Sequence, residues 1–226
     1  TQRGTNINSF SIGATKPALD YVINVPTPSN DNTSTYTFYS TLPGTINYSG
    51  SCDSDNDTTA LADNNTVIFN ALPDGTHSDC KISVTSNGVV SDNLSVNPFT
   101  IDTTAPELDT VNIRSNNDNT TMAKVGDRIY LDLTFSENVN TPTVLIAGQS
   151  ATRDSGSGSS WVYRYDMQSS DPTGLVNHSV AFTDANGNTG TTVTSTTNGS
   201  AVLFDKTAPT LREVTAVSTP TSDNTP

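Results

Sequence analysis

Residues 128–135, RIYLDLTF, alternate without a break. Ile129, Leu131, Leu133 and Phe135 share one side, and Arg128, Tyr130, Asp132 and Thr134 take the other. A period of two is the mark of a strand with one buried face, since successive side chains leave a pleated backbone in opposite directions. WVYRYDM, 161–167, repeats the pattern with Trp161, Tyr163, Tyr165 and Met167 turned inward against Val162, Arg164 and Asp166. TYTFYS (35–40), NTVIFN (65–70) and CKISVT (80–85) supply further half-buried strands. Turn formers separate them at Pro43-Gly44, Pro73-Asp74-Gly75, Asn87-Gly88 and Asn186-Gly187. No segment carries a convincing helical period. About seven short strands in about 90–100 residues fit an immunoglobulin-like sandwich. The expected fold is therefore all-β, with tandem immunoglobulin-like β-sandwiches of about seven strands each in a linear array.

The tandem arrangement rests on a repeated phrase. APTLREVTAVSTPTSDNT (208–225) lies over KPALDYVINVPTPSNDNT (16–33), pairing Pro209 with Pro17, Leu211 with Leu19, Val214 with Val22 and Val217 with Val25. A shorter match, APELDTVNI, stands at 105–113. Upstream, NSFSIGATKP (8–17), NPFTIDTTAP (97–106) and VLFDKTAP (202–209) end alike, with Asp102 and Asp205 in two copies and Gly13 in the third. Three aligned junctions of a strand, Asp-x-Thr-Ala-Pro and a new strand read as internal repetition. The spacing from Pro17 to Pro209 reads as the period of an alternating two-domain repeat. The expected divisions are 1–13, the last strand of a preceding repeat; 14–104, a repeat containing both cysteines; 105–207, a repeat of a second type; and 208–226, the first strand of a following repeat.

Composition decides between a thin sandwich and a disordered chain. Only 32% of residues are hydrophobic, but they fall in short alternating runs, which a disordered segment lacks. The net charge of −13, from 23 acids against 10 Lys plus Arg, argues against nucleic acid or an anionic membrane surface as partner. It permits hard divalent cations, which take carboxylate and carbonyl oxygens, and it also serves plain solubility. No apolar run approaches the ~20 residues of a membrane-spanning helix. The two cysteines, Cys52 and Cys80, form no CxxC pair, and His77 and His178 stand outside any zinc-ligand spacing. Both cysteines fall in or beside predicted strands of one sandwich. A disulfide would stabilise by about 3–4 kcal/mol through loop closure and places the chain in an oxidising, extracytoplasmic compartment; two buried thiols are the alternative.

The DTTAP and DKTAP junctions, SDNTP, KVGDRIYLDLTFSENV (124–139), VLIAGQSAT (144–152) and FTDANGN (182–188) together resemble the tandem bacterial immunoglobulin-like repeats of giant surface adhesins and extracellular matrix-like proteins. The resemblance spans essentially the whole chain. It implies a stalk or filament segment at the bacterial cell surface, whose partners are neighbouring repeats of the same chain and like chains in a fibre, and whose domain junctions are stiffened by Ca²⁺. The cysteine pair departs from the long adhesins exported in one step, which are usually poor in cysteine.

Candidate calcium ligands follow from the junctions. Asp102 and Asp205 end a last strand, Glu107 and Asp109 follow one junction, and the loop DANGN sets Asp184, Asn186 and Asn188 at alternate positions. Carboxylates of this kind suit Ca²⁺, which wants six to eight oxygens, and the same residue types are ordinary turn formers. DANGN lacks the frame of an EF-hand. For catalysis no set coheres: neither histidine stands in a nucleophile-elbow context, and both read as surface residues. Trp161 reads as core, not a sugar platform, because Tyr163 and Tyr165 share its face. No ligand-binding residues are legible. The functional alternatives are a module that binds a glycan or a host protein, and a subunit that self-assembles by strand complementation.

Overall fold

A computed structural model describes residues 13–215. The strands expected to belong to neighbouring repeats therefore lie outside the described residues at 1–12 and 216–226; residues 208–215 carry no strand. The chain divides into two compact units. The first comprises Thr1–Glu107 with Glu137–Asn140 and Phe182–Thr191, and the second Leu108–Ser136, Thr141–Ala181 and Thr192–Pro226.

Among the described residues, the first unit holds the strands β1 (Leu19–Ile23), β2 (Thr35–Ser40), β3 (Gly44–Ser49), β4 (Thr59–Ala60), β5 (Asn64–Ile68), β6 (Gly75–His77), β7 (Lys81–Ser86), β8 (Val89–Val90), β9 (Leu94–Ser95) and β10 (Phe99–Ile101). One sheet runs β1-β2-β5, a second runs β4-β3-β7-β8 with β9 also on β7, and β10 pairs with β6. The alternation seen in sequence becomes an immunoglobulin-like sandwich because each sheet has one apolar face to bury. Tyr36, Phe38, Ile46, Val67, Phe69, Ile82, Val84, Phe99 and Ile101 are all at or below 5% exposure and form one core. Cys52 and Cys80 are joined in a disulfide inside that core, with Cα atoms 5.1 Å apart.

The second unit holds β11 (Leu108–Ser115), β12 (Met122–Ala123), β13 (Arg128–Phe135), β14 (Thr143–Ile146), β15 (Gln149–Ser150), β16 (Thr152–Ser157), β17 (Ser160–Asp166), β18 (Gly174–Leu175), β19 (His178–Ala181) and β20 (Leu203–Phe204). Its sheets run β11-β13-β17-β16, β15-β14-β19 and β12-β20-β18. Ile129, Leu131, Leu133 and Phe135 are buried, as their alternation requires, and so are Trp161, Tyr163 and Met167; Tyr165, near the strand end, is half-buried. The free flank of β11 is occupied without a partner strand: Thr197 Oγ1 accepts from the Val111 amide at 3.0 Å and Ser200 Oγ from the Ile113 amide at 3.0 Å. Side-chain oxygens here satisfy backbone donors that an uncovered edge leaves open.

Both histidines, expected at the surface, are buried. His77 closes β6, stacks on Phe99 with ring centroids 5.3 Å apart, and its Nε2 lies 2.9 Å from the Pro73 carbonyl. That environment depends on the pairing of β6 with β10, which no local pattern announces. His178 sits in β19 with a backbone hydrogen bond to Ser195, while its Nε2 is buried without a hydrogen-bond partner. Burial holds its pKa below the ordinary 6.5, because charging the ring there would strand a proton in apolar surroundings. The folded state therefore binds fewer protons than the unfolded one as pH falls through 6.5, so this contribution to stability is present above that pH and is lost progressively below it. The melting temperature of His178→Gln, which keeps a donor for Ser195 and takes no proton, is expected to change less between pH 7.5 and 5.5 than that of the parent chain; equal pH dependence of the two would remove His178 from the acid response.

Candidate cation site

β10 ends at Ile101, and the backbone amide of Asp102 donates to the Ser29 carbonyl at 2.9 Å. The Asp102 carboxylate then begins a turn, Oδ1 accepting from the Thr104 amide at 3.2 Å. Asp205, in the second DxTAP phrase, does the same with Thr207 at 2.8 Å. The aspartate of the repeated phrase thus has a local use at both places: its side chain caps the backbone two residues on, before the proline.

Asp102 has a second use. Its Oδ2 accepts from Asn186 Nδ2 at 2.6 Å, and its backbone carbonyl accepts from Asn188 Nδ2 at 2.9 Å. The DANGN loop is shaped around Asp184, which is only 1% exposed. Asp184 Oδ1 accepts from the amides of Asn186 at 2.9 Å and Asn188 at 2.8 Å, and Oδ2 accepts from Asn188 Nδ2 at 2.8 Å. Gly187, at φ 92°, supplies the left-handed step that a side chain resists. On the other flank Val139 bridges Asp184, and the Asn140 amide donates to the Thr183 carbonyl at 2.8 Å.

These pairings bring Glu137 to the same place. Oxygens of Asp102, Glu137 and Asp184 all lie within 4.8 Å of one another, all three residues belonging to the first unit, and they are the one such group among the described residues. Burial first, then the negative charges of Asp102 and Asp184, push the Glu137 carboxyl above its ordinary 4.5. Two unit charges about 4 Å apart repel by about 4 kcal/mol at an effective dielectric constant of 20, so the cluster is electrostatically unfavourable unless a proton or a cation is shared. The donor set fits a hard cation. Ligands on opposite sides of Ca²⁺, each at about 2.3–2.6 Å, stand about 5 Å apart, which matches the spread of these oxygens.

Of the residues expected from sequence, Asp102 and Asp184 are brought together, while Asn186 and Asn188 point amide nitrogens at them and brace their carboxylates. Glu107 and Asp109 are exposed beside the start of β11, and Asp205 keeps its turn; none of the three joins the cluster. Glu137 is the residue the sequence reading missed. It stands in SENV after β13, and only the distant bridge of Val139 to Asp184 gives it meaning.

A different trio lies beside the disulfide. Ser51 Oγ donates to Asp79 Oδ1 at 2.7 Å and lies 3.1 Å from His77 Nδ1. The carboxylate bonds the serine and not the imidazole, and His77 Nε2 is committed to Pro73. A nucleophilic relay needs the imidazole between hydroxyl and carboxylate, so this trio pins the disulfide loop instead.

No family model matches the chain, and no curated protein matches it. Among solved structures, the D00-D0 domain of intimin is similar over 79% of this chain and 98% of that one, with 12% sequence identity and a TM-score of 0.32. The fold described above rests on the strand pairings of this chain.

Proposed function

We propose that this chain is a structural segment, a stalk or spacer, of a bacterial surface protein of the adhesin kind, and that Asp102, Glu137 and Asp184 hold a Ca²⁺ ion. The observation that carries the cation is the convergence of three carboxylates from three sequence-distant stretches. The surface location is supported by the buried Cys52–Cys80 disulfide, a bond of oxidising compartments, and the spacer role by two β-sheet units whose intervening Asp-x-Thr-Ala-Pro phrase, 102–106, recurs at 205–209. When bound, the ion supplies charge neutralisation. The chain's own residues do the rest: Asn186 and Asn188 orient Asp102 and Asp184, and the excursions 137–140 and 182–191 bring the third carboxylate in.

Titrating the metal-free chain with CaCl₂ tests this. A ligand at a hundredfold excess over its dissociation constant stabilises the folded state by about 2.7 kcal/mol, so calcium is expected to raise the unfolding midpoint by several degrees and EDTA to reverse it. Glu137→Gln is expected to abolish the calcium response while leaving the metal-free midpoint unchanged or higher, because it removes one of the repelling charges. A parent chain whose midpoint is indifferent to both calcium and EDTA would remove the ion from the reading.

A further inference from the structure

The second unit carries a feature unrelated to the acidic cluster. Beside the edge of the β11-β13-β17-β16 sheet lies an open hollow of about 260 Å³ lined by Ser150, Thr152, Arg164, Tyr165, Asp166 and Gln168. Every lining side chain bears a polar atom, and their arrangement follows from strand register. Thr152 stands opposite Arg164 on the β16–β17 ladder, and Asp166 stands opposite Arg128 on the β13–β17 ladder.

These groups are held in place by neighbours. Arg128 Nε donates to Asp166 Oδ1 at 2.7 Å, and Arg164 Nε lies 3.4 Å from Asp154 Oδ1. Gln168 Nε2 donates to the Asp166 carbonyl at 2.7 Å, and its backbone amide donates to Asp171 Oδ2 at 2.7 Å. Tyr165 OH donates to the same buried Asp171 at 3.2 Å. Both charged side chains nevertheless keep open surface, 36% for Arg164 and 53% for Asp166. One strand over, Tyr130 lies opposite Arg164 on the ladder, with the Arg114 guanidinium 4.3 Å above its ring. The hollow thus offers a rigid array of donors and acceptors that forms its contacts without first ordering flexible side chains.

The charges select the ligand class. An anion attracted by Arg164 would meet the carboxylates of Asp166 and Asp154. A cation attracted by those would meet Arg164 and Arg128. An apolar ligand would leave the lining groups without partners, at the cost of burying unsatisfied polar atoms. A neutral polyhydroxyl compound avoids all three conflicts: its adjacent hydroxyls both donate to Asp166 and accept from Arg164 and Gln168. We propose that this hollow is a subsite for a neutral saccharide, with the sheet face around Tyr130 available to further residues of an oligomer. It stands independently of the cation site, which lies in the first unit.

The test is a titration of the ¹⁵N-labelled 226-residue chain with neutral hexose and N-acetylhexosamine oligomers, and in parallel with a sulfated oligosaccharide of matched length. Shifts are expected in backbone resonances of Ser150–Gln168, with weak affinity for at least one neutral oligomer and little dependence on salt. Gln168→Ala, whose side chain makes only the hydrogen bond to the Asp166 carbonyl, is expected to weaken that binding about tenfold without disturbing resonances elsewhere. Thr152→Val provides a second fold-neutral variant with a loss in the same direction. No shift at Ser150–Gln168 with any neutral oligomer overturns the proposal. So does binding confined to the sulfated oligomer, or binding that both variants leave unchanged.

Discussion

Replacing Cys52 and Cys80 together by alanine is expected to lower the stability of the first unit by about 3–4 kcal/mol, the loop-closure contribution of a cross-link of this span. The bond joins residues 28 apart. It ties the chain leaving β3 to the start of β7, two strands already paired from Thr45–Thr85 to Ser49–Lys81. Between the cysteines run β4, β5 and β6, so the unfolded chain loses a large set of conformations when the loop is closed. Both cysteines are at most 2% exposed, and alanine also removes buried sulfur from the core, which adds to the loss. Urea unfolding followed by far-ultraviolet circular dichroism measures the effect. Unfolding the parent chain with dithiothreitol separates the cross-link from the lost packing, because the reduced chain keeps both sulfur atoms. A reduced chain as stable as the oxidised one would mean that the pairing of β3 with β7 already supplies what the bond adds.

Trp161→Ala is expected to cost the second unit about 3–5 kcal/mol, the usual range for truncating a buried large aromatic side chain. Trp161 is 4% exposed. Its Nε1 donates to the Gly158 carbonyl at 2.8 Å, across the turn joining β16 to β17. Arg153 covers the ring at 4.8 Å and donates to the Gly156 carbonyl, so the indole organises the hairpin as well as filling the core. Trp161→Phe is expected to recover most of the loss, since its ring refills the larger part of the volume and gives up one hydrogen bond. Calorimetry of the two variants checks this, and an alanine variant within about 1 kcal/mol of the parent would place Trp161 outside the core that holds the sheet. The same pair of variants bears on the saccharide proposal: Trp161 does not line the hollow, so the folded Trp161→Phe chain should bind as the parent does.

How far each feature was legible depended on the range of the interaction behind it. The strand 128–135 and its inward residues could be read from one window, because a period of two is a local property that burial then enforces. The turn role of Asp102 and Asp205 was equally local, an aspartate capping an amide two residues away. The fate of the two histidines was not. A histidine in a polar segment reads as exposed until a strand from elsewhere, β10 for His77, is laid beside it. Glu137 was invisible for the same reason, as was the divergence between Asp102 and Asp205, which share a phrase and a turn but not a cluster.

The sequence alone determined the all-β character, the positions of the main strands, the inward face of 128–135 and the recurring phrases that punctuate the chain. Those follow from alternation and turn chemistry, which act over a few residues. Only the tertiary structure decided that the cysteines are bonded, that Glu137 meets Asp102 and Asp184, and that Arg164, Asp166 and Gln168 share one hollow. Each of these depends on which strands pair and in what register, and a shift of one residue turns every side chain to the opposite face. Register is settled by burying the sheets of a unit against one another at once, a condition on the whole unit that no short stretch contains.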